Sequence, residues 1–521
     1  MVPADGERLR MYSCGPTVYR FAHVGNLRTF LLADLVRRAV LYHGVPVLHV
    51  QNITDVGHLR DERFDRGEDR MLVAAGLEHK TASEIADAYE AAFHADAALL
   101  NLLPAHVFPR ATEHIPDMVR LAEQLVDAGH AYASADGNVY YSVATFPGYG
   151  ALSRNSLDAL RAGHRGDIDA DKHDAADFVL WRTAGEGRLL RWPTSRWGEG
   201  FPGWHLECSA MALRHLGPRF DVHTGGIDNI FPHHEDEIAQ SAPIVGGPPA
   251  RIWTHGEFLN VGGRKMAKSA GNIERIADVA ARGIDPLAFR YLCLTSRYRH
   301  KLEYTEASLA GAAAGLASLR VALANLGPAP DHGPWAAPAA LRAGSAPARP
   351  AGTATGIAGL GDGFLGGDNA NDSDTWLADR AHAPAAPLSP AGRALHDRFV
   401  AAVDDDLDLP AALATVREAL RADLPADERR WLVGDADFVL GLGLERATAP
   451  AAPPPAASRE SASVAIAALL ERRSAARDAR DYATADRIRS ELAALGFDVV
   501  DGPAGQAVSP SRDRDASRTD R

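Results

Sequence analysis

The stretch LRMYSCGPTVYRFAHVGNLRTFLLADLVRRAVLYHGVPVLHVQNIT, residues 9–54, decides the fold. LRMYSC reads as a strand ending in a Gly15-Pro16 turn, NLRTFLLADLVRRAVLYHG carries the apolar period of a long helix, and VPVLHVQNIT reads as a second strand. Strand, turn, helix and strand make the unit of a parallel doubly wound sheet, whose ligands gather outside the carboxyl ends of the strands. His23 and Gly25 stand between the first strand and the helix, where such a ligand would lie. A helix N-terminus at that point offers backbone N–H groups and a positive dipole to a phosphate, and His23 can add a hydrogen bond.

Outward from this unit, 521 residues exceed one ordinary core and imply two to four domains. A content of 46% hydrophobic and 24% charged residues is that of a globular chain. The net charge of −13 speaks against unspecific coating of nucleic acid, so any such partner must meet a limited basic face. Three cysteines, Cys14, Cys208 and Cys293, are too few for a disulfide framework and suit a reducing cytoplasm. MVPADGERLRMYS lacks the apolar segment of an export signal, and no run approaches about 18 uninterrupted apolar residues, so neither export nor membrane insertion is expected.

Residues 61–199 read as an insertion, with helices around 68–103 and 113–130 and a short hairpin-like piece, GNVYYSV. The sheet pattern resumes over 200–283: FDVHTGG as a strand, PHHEDEIAQSAP as a helix opened by Pro232, and RIWTHGEFLNVGGRKMAKS as strand, turn and loop. A helical stretch over 284–326 follows. Residues 327–390 are rich in Ala, Gly, Pro and Asp and read as a disordered excursion. Helical periodicity returns over 391–507, and 508–521 reads as an unstructured tail.

Two motifs carry chemistry. In FPHHEDE, residues 231–237, His233 and Glu237 are four apart and would share a helix face, 25 residues after Cys208. Together with the distant Cys14 they offer sulfur, nitrogen and oxygen donors that one zinc ion accepts, with His234 as the rival imidazole. Lys265-Met266-Ala267-Lys268-Ser269 follows a glycine pair and carries two ammonium groups suited to the charge on a departing pyrophosphate, or else is a solvated surface loop.

HVGN and KMAKS resemble the two signature motifs of class I aminoacyl-tRNA synthetases. MYSCGPTVYRFAHVGN, FPGWHLECSAM and HTGGIDNIFPHHEDEIAQS are similar to the cysteinyl-tRNA synthetase family within that class. AAVDDDLDLPAALA and RDARDYATADRIRSELAALGFDVVDGP resemble its helical C-terminal domain, so the likeness spans most of 8–325 and 392–507. The resemblance implies an α/β fold: a doubly wound, Rossmann-like catalytic domain split over 1–60 and 200–283, an inserted connective subdomain at 61–199, a stem-contact region at 284–326, and an all-α anticodon-recognition region at 391–507.

It also implies residue roles. Cys14, Cys208, His233 and Glu237 match the zinc positions, one zinc per chain, with His233 preferred over His234. Gly15, Thr54, Trp204 and His223 match the cysteine pocket. His23, Gly25, Asn26, Gly226, Asp228 and Lys268 match ATP positions, with Mg2+ accompanying ATP, and His23, Asn26, Lys265 and Lys268 match the catalytic ones. The implied reaction activates L-cysteine as cysteinyl-adenylate and transfers it to the terminal adenosine of tRNA(Cys). The implied protein is a cytoplasmic monomer.

Physical chemistry gives the metal a task. Serine is slightly smaller than cysteine, so steric exclusion cannot reject it, whereas zinc binds thiolate far better than hydroxyl. Four protein ligands would close a tetrahedral site, so entry of a substrate thiol requires five-coordination or loss of a ligand.

The chain departs from the family pattern at Asn26, Ala267, Arg20 and Val56-Gly57-His58; Asn26 keeps an amide donor. In residues 464–495 arginines and acids nearly cancel, and composition alone favours a solvated helical hairpin; the resemblance turns the reading toward anticodon recognition. Two rivals are a cysteine ligase acting on an amino sugar, of the mycothiol-biosynthesis type, and a non-catalytic tRNA-binding paralogue. DLPAAL and DYATADRIR count against the first, and the intact ligands and lysines against the second.

Overall fold

The computed structural model describes residues 3–4, 6–56, 59–61, 66–78, 80–156, 171–185, 188–261, 264–265, 274–330, 333–335, 386–445, 473, 481, 497–502 and 505–510. The chain divides into two compact units, one of residues 1–280 and 284–448, the other of 281–283 and 449–521.

In the first unit β1 (Leu9–Ser13) leads through a turn into α1 (Val24–Tyr42), which returns the chain to β2 (Val47–Gln51). Helix α1 starts where His23 Nδ1 accepts from Asn26 N–H and Asn26 Oδ1 accepts from His23 N–H, a reciprocal cap that satisfies two otherwise orphaned donors. It stops before Gly44, whose φ of 73° an L side chain would resist. Leu27, Leu31 and Leu35 bury one side of the helix against the sheet, while Asp34, Arg37 and Arg38 are buried on others, so α1 is an interior helix.

The insertion is larger in β content than its sequence suggests. After β3 (Leu59–Asp61), β4 (Arg66–Asp69), α2 (Arg70–Glu78), α3 (Ala82–Leu99) and α4 (Ile115–Asp127) come β5 (Ala131–Ala133), β6 (Val139–Tyr141), β7 (Phe178–Thr183), β8 (Trp192–Thr194) and β9 (Gly198–Pro202). The last five form one antiparallel sheet in the order β5-β6-β7-β9-β8. GNVYYSV is therefore an inner strand of a five-stranded sheet rather than part of an isolated hairpin. Its partner β7 lies some forty residues on, beyond the reach of a local pattern.

The chain then forms α5 (Trp204–Leu216), β10 (Phe220–Gly226), α6 (Glu235–Val245) and β11 (Ala250–Gly256). The principal sheet is all parallel in the order β11-β10-β1-β2, with Ser13 opposite Gln51 on one side and Thr224 on the other. From β1 the chain proceeds to one edge and from β10 to the other. The carboxyl ends of β1 and β10 thus flank the point where the winding reverses, where open α/β sheets bind ligands.

Several expectations change. Pro232 does not open α6: residues Ile230–His234 form a wide π-type turn, broken by Phe231 at φ −139° and ψ 131°, and the α-helix begins at Glu235. After β12 (Leu259–Val261), β13 (Arg264–Lys265), α7 (Ile276–Ala281) and α8 (Leu287–Leu294), a strand β14 (Leu302–Tyr304) interrupts the expected helical stretch and pairs in parallel with β12. Helix α9 (Glu306–Ala324), 19 residues with mean hydropathy 1.5, is long and apolar enough to cross a membrane. Here one face of it packs against α8, and its Arg320 pairs with Asp285 and donates to the Leu442 carbonyl.

Helices α10 (Pro390–Asp404), α11 (Leu409–Arg421) and α12 (Ala426–Leu440) belong to the first unit, so the structural division falls near 448 rather than at 391. Arg290 of α8, fully buried, holds them in place: it donates to Asp34 at 2.7 Å and to the carbonyls of Leu440, Leu100 and Asn101. Arg38 donates to Asp34 and to Phe438 O. The close approach requires Gly441, where φ is 62° and a Cβ would stand 2.4 Å from Arg290 NH2. In the second unit β15 (Phe497–Gly502) and β16 (Gly505–Pro510) form an antiparallel hairpin, so the expected helical region ends in β-structure and 508–510 belong to a strand instead of the tail. The excursion proper, 336–385, lies outside the described residues.

Candidate active site and metal centre

Four elements converge at the carboxyl ends of β1 and β10. Cys14 follows β1, Cys208 lies on the first turns of α5, and His233 and Glu237 come from the wide turn and α6. One ligand atom from each of the four lies within 4.8 Å of all the others. Donors around a tetrahedral zinc stand about 3.4–3.8 Å apart, so small side-chain adjustments would close the set on an ion.

The surroundings fit a cation. Glu237 Oε1 is buried and among the described residues has no hydrogen-bond partner, although His233 Nε2 lies 3.2 Å away. His205 Nδ1 meets His233 Nδ1 at 2.8 Å, so His233 Nε2 is the nitrogen that could face an ion. Behind it His205 Nε2 is 3.4 Å from Asp236 Oδ2, and Tyr149 donates to Asp236 Oδ1. The Cys208 thiol is pushed well above its usual range by its hydrogen bond with Cys14, by burial, and by the negative charge of Cys14 and Glu237. That crowding of proton-demanding groups is what a divalent ion relieves, by holding both sulfurs as thiolates.

A second set, Cys14, His223, His234 and Glu237, meets the same distance limit. His234 Nε2 is 3.3 Å from Cys14 Sγ, while its Nδ1 faces His255 Nε2 at 2.8 Å. Burial, then His223 and His255, holds the His234 imidazole well below its usual pKa, hence neutral. Both neighbouring histidines therefore reach the centre. The set with His233 places two sulfurs together, which suits zinc better than one.

Of the expected pocket residues, Trp204 stacks on His233 at 4.3 Å, and His223 Nε2 lies 2.9 Å from Glu237 Oε2 with its ring on Trp253. Gly15 and Thr54 meet through Asn52, whose Oδ1 accepts from Gly15 N–H and whose Nδ2 donates to Thr54 Oγ1. A Cβ at residue 15 would fall 1.6 Å from Asn52 O, so only glycine fits. The sequence reading missed His205, Asp236, Tyr149, Asn52, Trp253 and His255. Trp253 and His255 are two apart on β11 and so share a face, a period-two signal that was available.

At the phosphate end, His23 Nδ1 is an acceptor, so its proton sits on Nε2 and that atom is a donor. Val24 N–H is taken by Glu274 O and Asn26 N–H by His23; among the described residues no acceptor takes Gly25 N–H. With Oδ1 engaged by His23 N–H, the Asn26 amide hydrogens are its remaining capacity. Gly226 ends β10, its N–H bonded to Asn229 Oδ1, and a Cβ there would stand 2.5 Å from Asp228 Oδ1 and 3.6 Å from Thr29 Oγ1 of α1. Gly226 and Asp228 thus face the first turns of the helix that His23 caps. Lys265 is placed on β13 by its backbone pairing with Asn260, and Lys268 lies outside the described residues.

Residues 1–314 match the family described as tRNA synthetases class I (C) catalytic domain, and residues 460–508 the cysteinyl-tRNA ligase anticodon binding domain. A cysteine–tRNA ligase of Chlorobium luteolum is 38% identical over 516 residues, covering 96% of this chain and 95% of the relative. Cysteine–tRNA ligase 1 of Burkholderia lata is 38% identical over 509 residues, covering 97% and 93%. Among solved structures, methionyl-tRNA synthetase of Mycobacterium tuberculosis in complex with methionyl-adenylate superposes with a TM-score of 0.51 at 15% identity, covering 87% of this chain and 92% of that one. That likeness bears on the fold alone.

Proposed function

Because the chain belongs to the cysteine–tRNA ligase family, it is an ATP-dependent ligase that joins cysteine to tRNA, and we propose that the crevice between β1 and β10 is its active site. The observation that carries this reading is the convergence of Cys14 with the buried Cys208, His233 and Glu237. The rival amino-sugar and non-catalytic readings are not favoured: the anticodon-domain match at 460–508 and full-length likeness to cysteine–tRNA ligases speak for the tRNA enzyme.

The carboxylate of cysteine attacks the α-phosphate of ATP, giving cysteinyl-adenylate and pyrophosphate, and a hydroxyl of the terminal adenosine then takes the acyl group. In our reading His23 Nε2–H, Gly25 N–H and the Asn26 amide donate to the phosphate, helped by the positive end of α1, while the backbone at Gly226 and Asp228 seats the nucleotide. Lys265 and Lys268 attend the pyrophosphate, and Mg2+ accompanies ATP; their part rests on the KMAKS motif. Trp204, His223, Thr54 and Gly15 line the amino acid pocket. When held by Cys14, Cys208, His233 and Glu237, zinc supplies a preference for thiolate over hydroxyl. No protein nucleophile is required, since orientation and charge stabilisation suffice. A monomer in a reducing cytoplasm fits the free thiols of Cys14, Cys208 and Cys293.

The test is pyrophosphate exchange into ATP. Exchange is expected with cysteine and at least about 100-fold more weakly with serine; comparable exchange with serine would remove the metal's proposed task. A chain ending at residue 448 keeps α10–α12 on α1 and is expected to retain cysteine-dependent exchange while transfer to tRNA falls by about tenfold or more. Undiminished transfer would sink the assignment of 449–521 to tRNA recognition.

A further inference from the structure

Phe21 is 40% exposed, two residues before His23, and no step described above uses it. The Arg275 guanidinium lies over its ring at 3.6 Å, within the range of a cation–π contact. The other side of the arrangement is α3, where Tyr89 meets Phe21 edge-on at 4.8 Å and 77° and donates to Glu78. Glu274, next to Arg275, accepts from Val24 N–H at 2.9 Å, so two adjacent residues grip the entry of α1, one through the backbone and one through a side chain. Arg275 is itself anchored. Its N–H donates to Asp278 Oδ2, and its carbonyl accepts from Asp278 and Val279 at the start of α7.

The charges around this guanidinium favour its place. Asp96 of α3 is 3% exposed, and among the described residues its Oδ2 has no hydrogen-bond partner. Burial raises the Asp96 carboxyl to about 6, with the Arg275 charge pulling it down and Asp278 pushing it up. Arg275 is therefore held between α3, α7 and the Phe21 ring.

We propose that Phe21 and Arg275 are positioning residues for His23, their stack fixing the turn that presents the imidazole to the ATP phosphates. The inference rests on the reading above that His23 meets ATP. Among the described residues the contacts of the stack run to the entry of α1, to α3 and to α7 rather than to the thiol-binding cluster or Trp204, so its effect is expected on ATP and not on cysteine.

The experiment compares the full-length chain with Phe21→Ala, Phe21→Leu, Phe21→Trp, Arg275→Ala and Arg275→Lys in cysteine-dependent pyrophosphate exchange, with thermal unfolding of each. Phe21→Ala and Arg275→Ala are expected to raise KM for ATP by about five- to tenfold, the scale of a lost cation–π contact, with KM for cysteine unchanged. Phe21→Trp, which keeps the π face, should restore KM for ATP. Phe21→Leu, which keeps only apolar bulk, should not, and Arg275→Lys should restore it in part. The double alanine variant should be no worse than either single one, since the two residues act as a unit. Full function of Phe21→Leu, a parallel rise in KM for cysteine, or an unchanged KM for ATP in both alanine variants would overturn the proposal. Should an alanine variant unfold, the Leu and Trp pair decides the matter. Exchange by the unaltered chain tests the functional reading separately, because the variants are judged only relative to it.

Discussion

Replacing Cys208 with serine is expected to empty the metal centre and to raise KM for cysteine by more than about 100-fold, while KM for ATP changes by less than about threefold. Loss of a partner that merely orients a ligand costs about 10- to 100-fold in metal affinity, so loss of a ligand should exceed that range. Cys208 is 1% exposed on α5, and serine, only slightly smaller, keeps a hydrogen-bonding group toward Cys14, so the fold should survive. A serine hydroxyl does not ionise near neutral pH and cannot replace a thiolate. Zinc analysis after dialysis, read beside exchange kinetics, checks the result. Retention of one zinc per chain with an unchanged cysteine response would reject the assignment and point to the alternative set through His223 and His234.

Replacing Arg290 with methionine is expected to cost about 3–5 kcal/mol of stability, the scale of breaking one side of a buried ion pair. Methionine fills the length of the site but leaves Asp34 with Arg38 and the Leu103 N–H, and abandons the Leu440, Leu100 and Asn101 carbonyls. Burial lowers Arg290 to about 10, opposed by Asp34, so it remains charged at neutral pH. Burial would raise the Asp34 carboxyl, but Arg38, Arg290 and the Leu103 N–H more than offset this and hold it below the usual carboxylate range. A depressed carboxyl contributes its full stability above the unfolded pKa and loses it as pH falls through the folded one. The unaltered chain therefore loses this contribution as pH falls through the folded pKa of Asp34, and the stability gap between it and the variant should narrow in acid. Urea titrations across pH check both points. A loss below about 1 kcal/mol, or a gap that stays constant into acid, would show that the α8 arginine is not what docks α10–α12.

The parts of the fold legible from sequence are those whose signals are local. Residues 9–54 announced strand, turn, helix and strand because apolar periodicity and the Gly15-Pro16 turn lie within one short stretch. The five-stranded sheet of the insertion was not legible, because β7 pairs with β6 and with β9 across long intervals. The same holds for β14, three residues long, whose identity depends on pairing with β12. The hairpin at 497–510 was hidden behind a helical pattern that runs up to it.

The candidate site divides in the same way. Residue types and the offset from His233 to Glu237 identified a donor set, and those four side chains do converge. His234 converges as well, since the break at Phe231 turns consecutive histidines toward one centre from different directions, which no helical offset anticipates. His205 and Asp236, which orient His233, were adjacent to named residues yet gave no sign of meeting one another.

By itself, the sequence determined which donors exist, the order of the elements that carry them and the family to which the motifs point. Only the tertiary structure decided that Cys14 meets Cys208, that Phe21 lies under Arg275, and that Asp34 shares its charge with Arg290. These contacts arise because parallel strands bring residues some 200 positions apart into register, as with Ser13 and Thr224, and helices then pack over that register. Local periodicity specifies which face of an element is buried, whereas strand register specifies what that face touches.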